Sequence, residues 1–315
     1  MILLQPYSLI FAALVSFAAA APLARGAEAY LIVDSQTGYV LDERNPRQKR
    51  QIGSLTKIAT AMVVLDWAAK RGGDLNQLAT IPAEAFVGTG ENHIGYQPGD
   101  VITLRDLLYA ALVQSDNIAA CALANYVGQT LQGTIPSSAE TRATPIAVFV
   151  GQMNALAKRL QMERTRFLNP FGGDEREHPY STAADVARLT RYATSNAGFR
   201  FYVSQKTRQI TFHHAGHPYS YLLKNTNELL GVNGIDGVKT GRTMRAGDCL
   251  VLSASRESQI EQVGQATRVY PRHLIIVLLG STDRFGEGAQ MLNRGWQLYD
   301  QWVAGGRMSN PKQIL

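Results

Sequence analysis

Residues 54–65 read SLTKIATAMVVL, and their spacing decides how the rest of the chain is understood. Leu55, Ile58, Met62 and Leu65 fall on one helical face, Lys70 and Arg71 close the pattern, and Gly72-Gly73 stops it. Ser54 thus opens a helix, and Lys57, three residues on, shares its face. Upstream, Ala29 to Asp34 (AYLIVD) and Tyr39 to Leu41 are short β-prone runs. The turn residues Ser35, Gln36, Thr37 and Gly38 separate them, which makes a hairpin.

Downstream the helical period continues. Thr103, with Asp106 three residues later, caps a helix carrying Leu107, Leu108 and Leu112, and Ser115-Asp116-Asn117 breaks it before a third helix from Ile118 to Tyr126. Either Ser115 or Asn117 is a candidate cap for that third helix. Gln132 to Pro145 reads as a loop, with further helices over Ile146 to Met162 and Ala183 to Ser195, the latter capped by Ser181 or Thr182. Strand character returns at Gly237 to Lys239, Asp248 to Ala254 and His273 to Leu279, with Arg256 to Arg272 a polar connector, before a closing helix from about Glu287 to Trp302. Strands at both ends with helices between them predict an α/β (α+β) fold: one antiparallel sheet built from both chain ends, flanked by helices, with a mainly helical insert over about residues 55–230.

The composition fits a globular protein: 315 residues, 45% hydrophobic and 18% charged, with a net charge of +6. The basic residues are scattered and do not interleave with aromatics, so nucleic acid is not implied. Ser8 to Ala21 is an apolar, alanine-rich stretch ending in small residues, the pattern of a secretory signal over residues 1–21. No Lys or Arg precedes it, so an uncleaved membrane anchor is the alternative; otherwise the mature protein is secreted or periplasmic. Cys121 and Cys249 sit in apolar segments and read as free thiols, with a bridge as the alternative an oxidising compartment permits. His213, His214 and His217 cluster but lack metal-ligand spacing, and neither a metal nor a cofactor is expected.

H-E-x-x-H, G-x-S-x-G and G-x-G-x-x-G are absent from the chain. Three short motifs remain, in order: Ser54-Leu55-Thr56-Lys57, Ser115-Asp116-Asn117 and Lys239-Thr240-Gly241. Burial, the positive helix end and a second cation at Lys239 would disfavour the Lys57 ammonium and let it take a proton from Ser54. Ser115 is placed to relay a proton, and Asn117 to bond a substrate amide or the Lys57 amine. Lys239 and Thr240 offer a cation and a hydroxyl to a carboxylate, Gly241 lets a substrate backbone approach, and the N–H groups of Ser54 and Arg242 are candidate oxyanion donors.

These residues resemble the low-molecular-mass D-alanyl-D-alanine carboxypeptidases among the serine penicillin-binding proteins. The likeness extends through Tyr39-Val40-Leu41, Phe167-Leu168-Asn169-Pro170, Tyr180-Ser181-Thr182-Ala183, Leu223-Lys224-Asn225-Thr226-Asn227 and Asp236-Gly237. It implies a β-lactamase/transpeptidase-like fold with a five-stranded sheet, a catalytic domain over residues 28–303, an acyl-enzyme on Ser54, and Lys57 as base. It also implies that Lys239 and Thr240 hold the terminal carboxylate of a D-Ala-D-Ala stem peptide, that β-lactams acylate Ser54, and that Arg284 steers a carboxylate. Arg242 departs from the aromatic or histidine usual after this last motif. Residues 304–315 read as a short tail in place of the C-terminal β-domain and membrane anchor of many relatives. A D,D-endopeptidase, a β-lactamase and a non-catalytic wall-binding scaffold remain the alternatives to a carboxypeptidase.

Overall fold

A computed structural model describes residues 26–133, 143–308, 310 and 313–315. The signal-like stretch lies outside these. Five strands form the central antiparallel sheet: β1 (Ala29–Asp34), β2 (Val40–Arg44), β7 (Ile235–Thr243), β8 (Gly247–Val263) and β9 (Ala266–Ser281), in the order β2-β1-β9-β8-β7. Both ends of the chain supply it, because β1 lies between β2 and β9, with Ala29 opposite Leu279 and Asp34 opposite Leu274. The pleat sorts the side chains into two cores. Leu31, Val33, Val251, Ile275 and Val277 face the helical side, whereas Ile32, Leu250, Leu252, Leu274 and Ile276 face the closing helix α7 (Arg284–Ala304) and its Leu292, Trp296 and Tyr299.

On the helical side α1 (Lys57–Arg71) is buried along most of its length and ends at Gly72 in the left-handed conformation, φ 58°. Around it pack α3 (Asn117–Gln132), α4 (Pro145–Arg159), α5 (Ala183–Ser195) and α6 (Ala197–Val203), with α2 (Leu104–Tyr109) seated on α3. Thr103 caps α2 by accepting the Asp106 N–H at 3.0 Å, and Thr182 caps α5 by accepting the Asp185 N–H at 3.1 Å. The cap of α3 is Asp116, which accepts the Ala119 N–H at 2.7 Å, and neither Ser115 nor Asn117. That leaves both neighbours' side chains available to the site.

The region between the two ends of the sheet is not only helical. β3 (Leu78–Thr80), β4 (Val101–Thr103), β5 (Thr207–His214) and β6 (His217–Lys224) form a second sheet, in the order β3-β4-β5-β6. The first two strands are three residues long and β6 is exposed along most of its length, so neither carries an alternating signal. The histidine cluster lies at the β5–β6 turn, where the His214 ring Nδ1 bonds the buried Asp100 carboxylate at 2.7 Å.

The polar stretch from Arg256 to Arg272 is strand rather than connector. It is the outer part of the β8–β9 ribbon, where Gln259 faces Tyr270, Ile260 faces Val269 and Glu261 faces Arg268. Beyond Arg256 the ribbon leaves the core, so neither face is buried and the period-2 signal disappears; Ile260 and Val269 are 67% and 59% exposed. Cys121 and Cys249 are buried free thiols, pushed up to about 12 and about 11 by desolvation, which makes them unreactive.

The two parts of the ribbon should differ sharply in their contribution to stability. Leu252→Ala, in the core beneath α7, is expected to cost about 2–5 kcal/mol, whereas Val269→Ser on the exposed part should stay within about 0.5 kcal/mol. Urea unfolding of the two variants compares them; equal losses would show that the outer ribbon is part of the cooperative core.

Candidate active site

Ser54 sits in a single 3₁₀ turn, Gly53–Thr56, that runs directly into α1. Two close approaches fix this turn. On one side β7 lies against it: a Cβ on Gly241 would stand 2.6 Å from the Ile52 carbonyl oxygen and 3.2 Å from the Ser54 nitrogen. On the other side the loop after α4 does the same, because any Cβ on Gly172, at φ +85°, would run into the Gly53 carbonyl. Gly241 therefore admits the nucleophile's own turn, where the sequence suggested a substrate backbone.

The Lys57 side chain is fully buried. Its Nζ lies 2.8 Å from Ser54 Oγ, 2.6 Å from Asn117 Oδ1 and 3.1 Å from the Phe171 carbonyl oxygen. The last two groups accept only, so the third direction at Nζ points at Ser54. When Lys57 is neutral, its two N–H bonds satisfy Asn117 and Phe171, and the lone pair faces the serine hydroxyl. Desolvation by burial lowers Lys57 from its ordinary value to about 7, against the opposing pull of Asp116. Burial is the operative cause, and Lys239 is not needed to explain the shift.

Each acceptor is itself held. The Asn117 amide nitrogen donates to the Thr89 carbonyl at 2.7 Å, so its oxygen must face Lys57 and both polar ends of the side chain are engaged. The Phe171 carbonyl is presented by a loop wound around Asn169, whose Oδ1 accepts the N–H groups of Phe171, Gly172 and Gly173 at 3.2, 2.6 and 3.2 Å. Thr60 on α1 ties the same loop by donating to the Pro170 carbonyl at 2.5 Å. The sequence held Asn169 and Pro170 only as part of a family-like string, since a carbonyl acceptor leaves no side-chain signature.

Ser115 ends the π turn Ala110–Gln114 in the left-handed conformation, φ 67°, and its hydroxyl has no hydrogen-bond partner among the described residues. Lys239 is 1% exposed, and its Nζ donates to the Thr240 carbonyl at 3.2 Å. Burial holds its ammonium well below the ordinary lysine range, with the charges of Lys57 and Arg284 adding to the effect. Thr240 Oγ1 lies 2.7 Å from Thr226 Oγ1. Arg284 is engaged behind the strand: its guanidinium donates to the Gly241 carbonyl at 3.2 Å and reaches Asp248 at 3.3 Å. The Arg242 side chain is 76% exposed, with Nε 3.4 Å from Asp248. The structure thus gathers Ser54, Lys57 and Asn117 by direct bonds, places the Lys239-Thr240-Gly241 strand beside their turn, and sets Arg284 as a brace for that strand.

A family model described as D-alanyl-D-alanine carboxypeptidase matches residues 16–263. The D-alanyl-D-alanine carboxypeptidase DacC of Escherichia coli is 30% identical over 284 residues, covering 87% of this chain and 62% of its own length. A D-alanyl-D-alanine endopeptidase of Pseudomonas aeruginosa is 33% identical, covering 70% of this chain and 65% of its own length. With DacF of Bacillus subtilis at 55%, the chain spans 55–65% of the length of these curated relatives. Among solved structures, the Streptomyces K15 DD-transpeptidase superposes with a TM-score of 0.71 at 29% identity, covering 86% of this chain and 97% of that one.

The lysine carries a double consequence. Acylation of Ser54 by a β-lactam should rise with pH through about 7 and level off above it, as the amine becomes neutral; a stopped-flow profile flat across that range would remove Lys57 as base. Because its folded-state pKa lies below the unfolded value, the burial penalty is full below about pH 7 and fades as pH rises towards the ordinary lysine value. Lys57→Met should therefore abolish acylation yet raise Tm, and by more at about pH 6 than at about pH 9.

Proposed function

Because the chain belongs to the D-alanyl-D-alanine carboxypeptidase family, we propose that it is a serine peptidase of the bacterial wall compartment that removes the terminal D-alanine from peptidoglycan stem peptides. The observation that carries this reading is the buried Lys57 amine, held by two fixed acceptors with its remaining direction on Ser54 Oγ at 2.8 Å.

The chemistry follows from that arrangement. Neutral Lys57 takes the Ser54 proton as Oγ attacks the carbonyl carbon of the penultimate D-alanine. The N–H groups of Ser54 and Arg242, on the two segments that meet at Gly241, receive the developing oxyanion. The Lys57 ammonium then returns its proton to the leaving amine, with the free hydroxyl of Ser115 as the relay. The C–N bond breaks, D-alanine departs and the remaining peptide stays esterified to Ser54. Water, deprotonated by the same lysine and serine, hydrolyses the ester and restores the hydroxyl. A β-lactam enters the first half of this sequence, but its leaving nitrogen stays tethered to the acyl group.

Lys239 and Thr240 serve the terminal carboxylate. In the empty site the Lys239 ammonium is disfavoured by burial, and an incoming carboxylate supplies the counter-charge that stabilises it. Arg284 acts on the same subsite through the Gly241 carbonyl and Asp248 rather than by direct contact. A second reading, an endopeptidase that cleaves cross-links, is favoured by the Pseudomonas aeruginosa relative of that name.

Product masses separate the two. Purified protein and Ser54→Ala are incubated with a monomeric pentapeptide muropeptide and a cross-linked dimer. A serine-dependent loss of one alanine from the monomer is expected; splitting of the dimer alone would replace the carboxypeptidase by the endopeptidase, and no turnover of either would sink both.

A further inference from the structure

A cavity of about 800 Å³ lies away from Ser54, between α5, α6, the β1–β2 turn and the foot of the β8–β9 ribbon. Its charged lining is Arg188, Arg191, Arg200 and Asp236, with His273 beside them. Arg188 is paired with Asp185 at 3.2 Å. The other two guanidinium groups rest on backbone carbonyls: Arg191 on those of Ser35 and Gln36 at 3.0 and 3.1 Å, Arg200 on that of Thr194. Asp236 accepts from Ser253 and Ser255, and the buried Nε2 of His273 has no hydrogen-bond partner, its neighbour Asp236 standing 3.8 Å away. Asp34 acts on Arg191 and Asp185 on Arg188, but Arg200 rests on a carbonyl alone and is paired with no carboxylate among the described residues, so one cation of this polar wall stands open to an anionic ligand.

The mixture of charges narrows the ligand. A carboxylate in the wall disfavours a dianionic phosphate, whereas arginines beside Asp236 and neutral amides such as Gln36 and Gln161 suit a molecule carrying both carboxylates and N–H or O–H donors. Asp236 lies on β7 three residues before Lys239, about 10 Å along the strand, and α6 packs on that strand with Val203 against Gly237. A stem peptide advances about 3.4 Å per residue. Two residues of a substrate fall short of the cavity and three span only the distance to its near wall, whereas a longer or cross-linked strand reaches into it.

Building on the peptidase reading above, we infer that this cavity is a second binding site for the wall polymer, taking a carboxylate-bearing peptide or glycan portion remote from the scissile bond. It would favour polymeric or cross-linked substrate over short peptides, without touching the chemistry at Ser54.

Arg200→Glu tests this, because Arg200 is exposed and lies outside the catalytic cluster. The expected result is about a tenfold rise in KM on cross-linked muropeptides and intact sacculi, with tripeptide hydrolysis, β-lactam acylation and Tm unchanged. Binding is read separately by co-sedimenting Ser54→Ala and Ser54→Ala/Arg200→Glu with purified sacculi, where the double variant should bind less and soluble muropeptides should compete. Equal sedimentation of both, an equal loss on the tripeptide, or competition by inorganic phosphate but not by muropeptides would each overturn the inference. The sedimentation arm needs no turnover, so failure of the second site and failure of the Ser54 chemistry are distinguishable.

Discussion

An amine taken out of water governs this molecule. Lys57 has no exposed surface, and a buried ammonium is costly unless its surroundings compensate it. The surroundings offer only two fixed acceptors and one hydroxyl, enough to orient a neutral amine and too little to hold a full positive charge comfortably. Reactivity at Ser54 and a cost to the fold are thus two aspects of one burial. The backbone around the amine serves to keep that arrangement in place: Asn169 winds the loop that brings the Phe171 carbonyl, Thr89 sets the Asn117 amide, and Asp116 takes over the capping of α3.

The same burial explains why glycine appears where segments cross. Gly241 and Gly172 flank the Ser54 turn, and a single methyl at either would strike main chain rather than a movable side chain. Backbone against backbone is the closest packing a protein has. It places the N–H groups of two separate segments, at Ser54 and Arg242, within one small region, which side chains on flexible stems would do less reproducibly.

Much of this was legible in the sequence. The apolar spacing of Leu55, Ile58, Met62 and Leu65 marks α1, the short β-prone runs AYLIVD and HLIIVLL mark central strands, and three short motifs name Ser54, Lys57, Ser115, Asn117, Lys239 and Thr240. What escaped had a physical reason in each case. β3 and β4 are too short to show a period, and the outer β8–β9 ribbon buries neither face. The cap of α3 was sought one residue to either side of Asp116. Arg284 enters the sequence reading only through the family resemblance, because its bonds to the Gly241 carbonyl and Asp248 join residues far apart in the chain. Phe171 acts through its carbonyl, which every residue possesses, so nothing in its identity marks it.

The pairing of β1 with β9 bears on how the chain comes to be folded at all. β1 is among the first described residues, yet one of its two neighbours is made some 240 residues later, and α7, which seals the far face of the sheet, follows that neighbour. Contacts this distant in sequence close slowly, and during synthesis the early hairpin must wait with an open hydrogen-bonding edge. Helices such as α1 to α3 can form locally in that interval, but the Ser54 turn is braced on its second side only when β7 brings Gly241 against it. The backbone segments that meet at Ser54 and Arg242 therefore come together late, once β7 has joined the sheet.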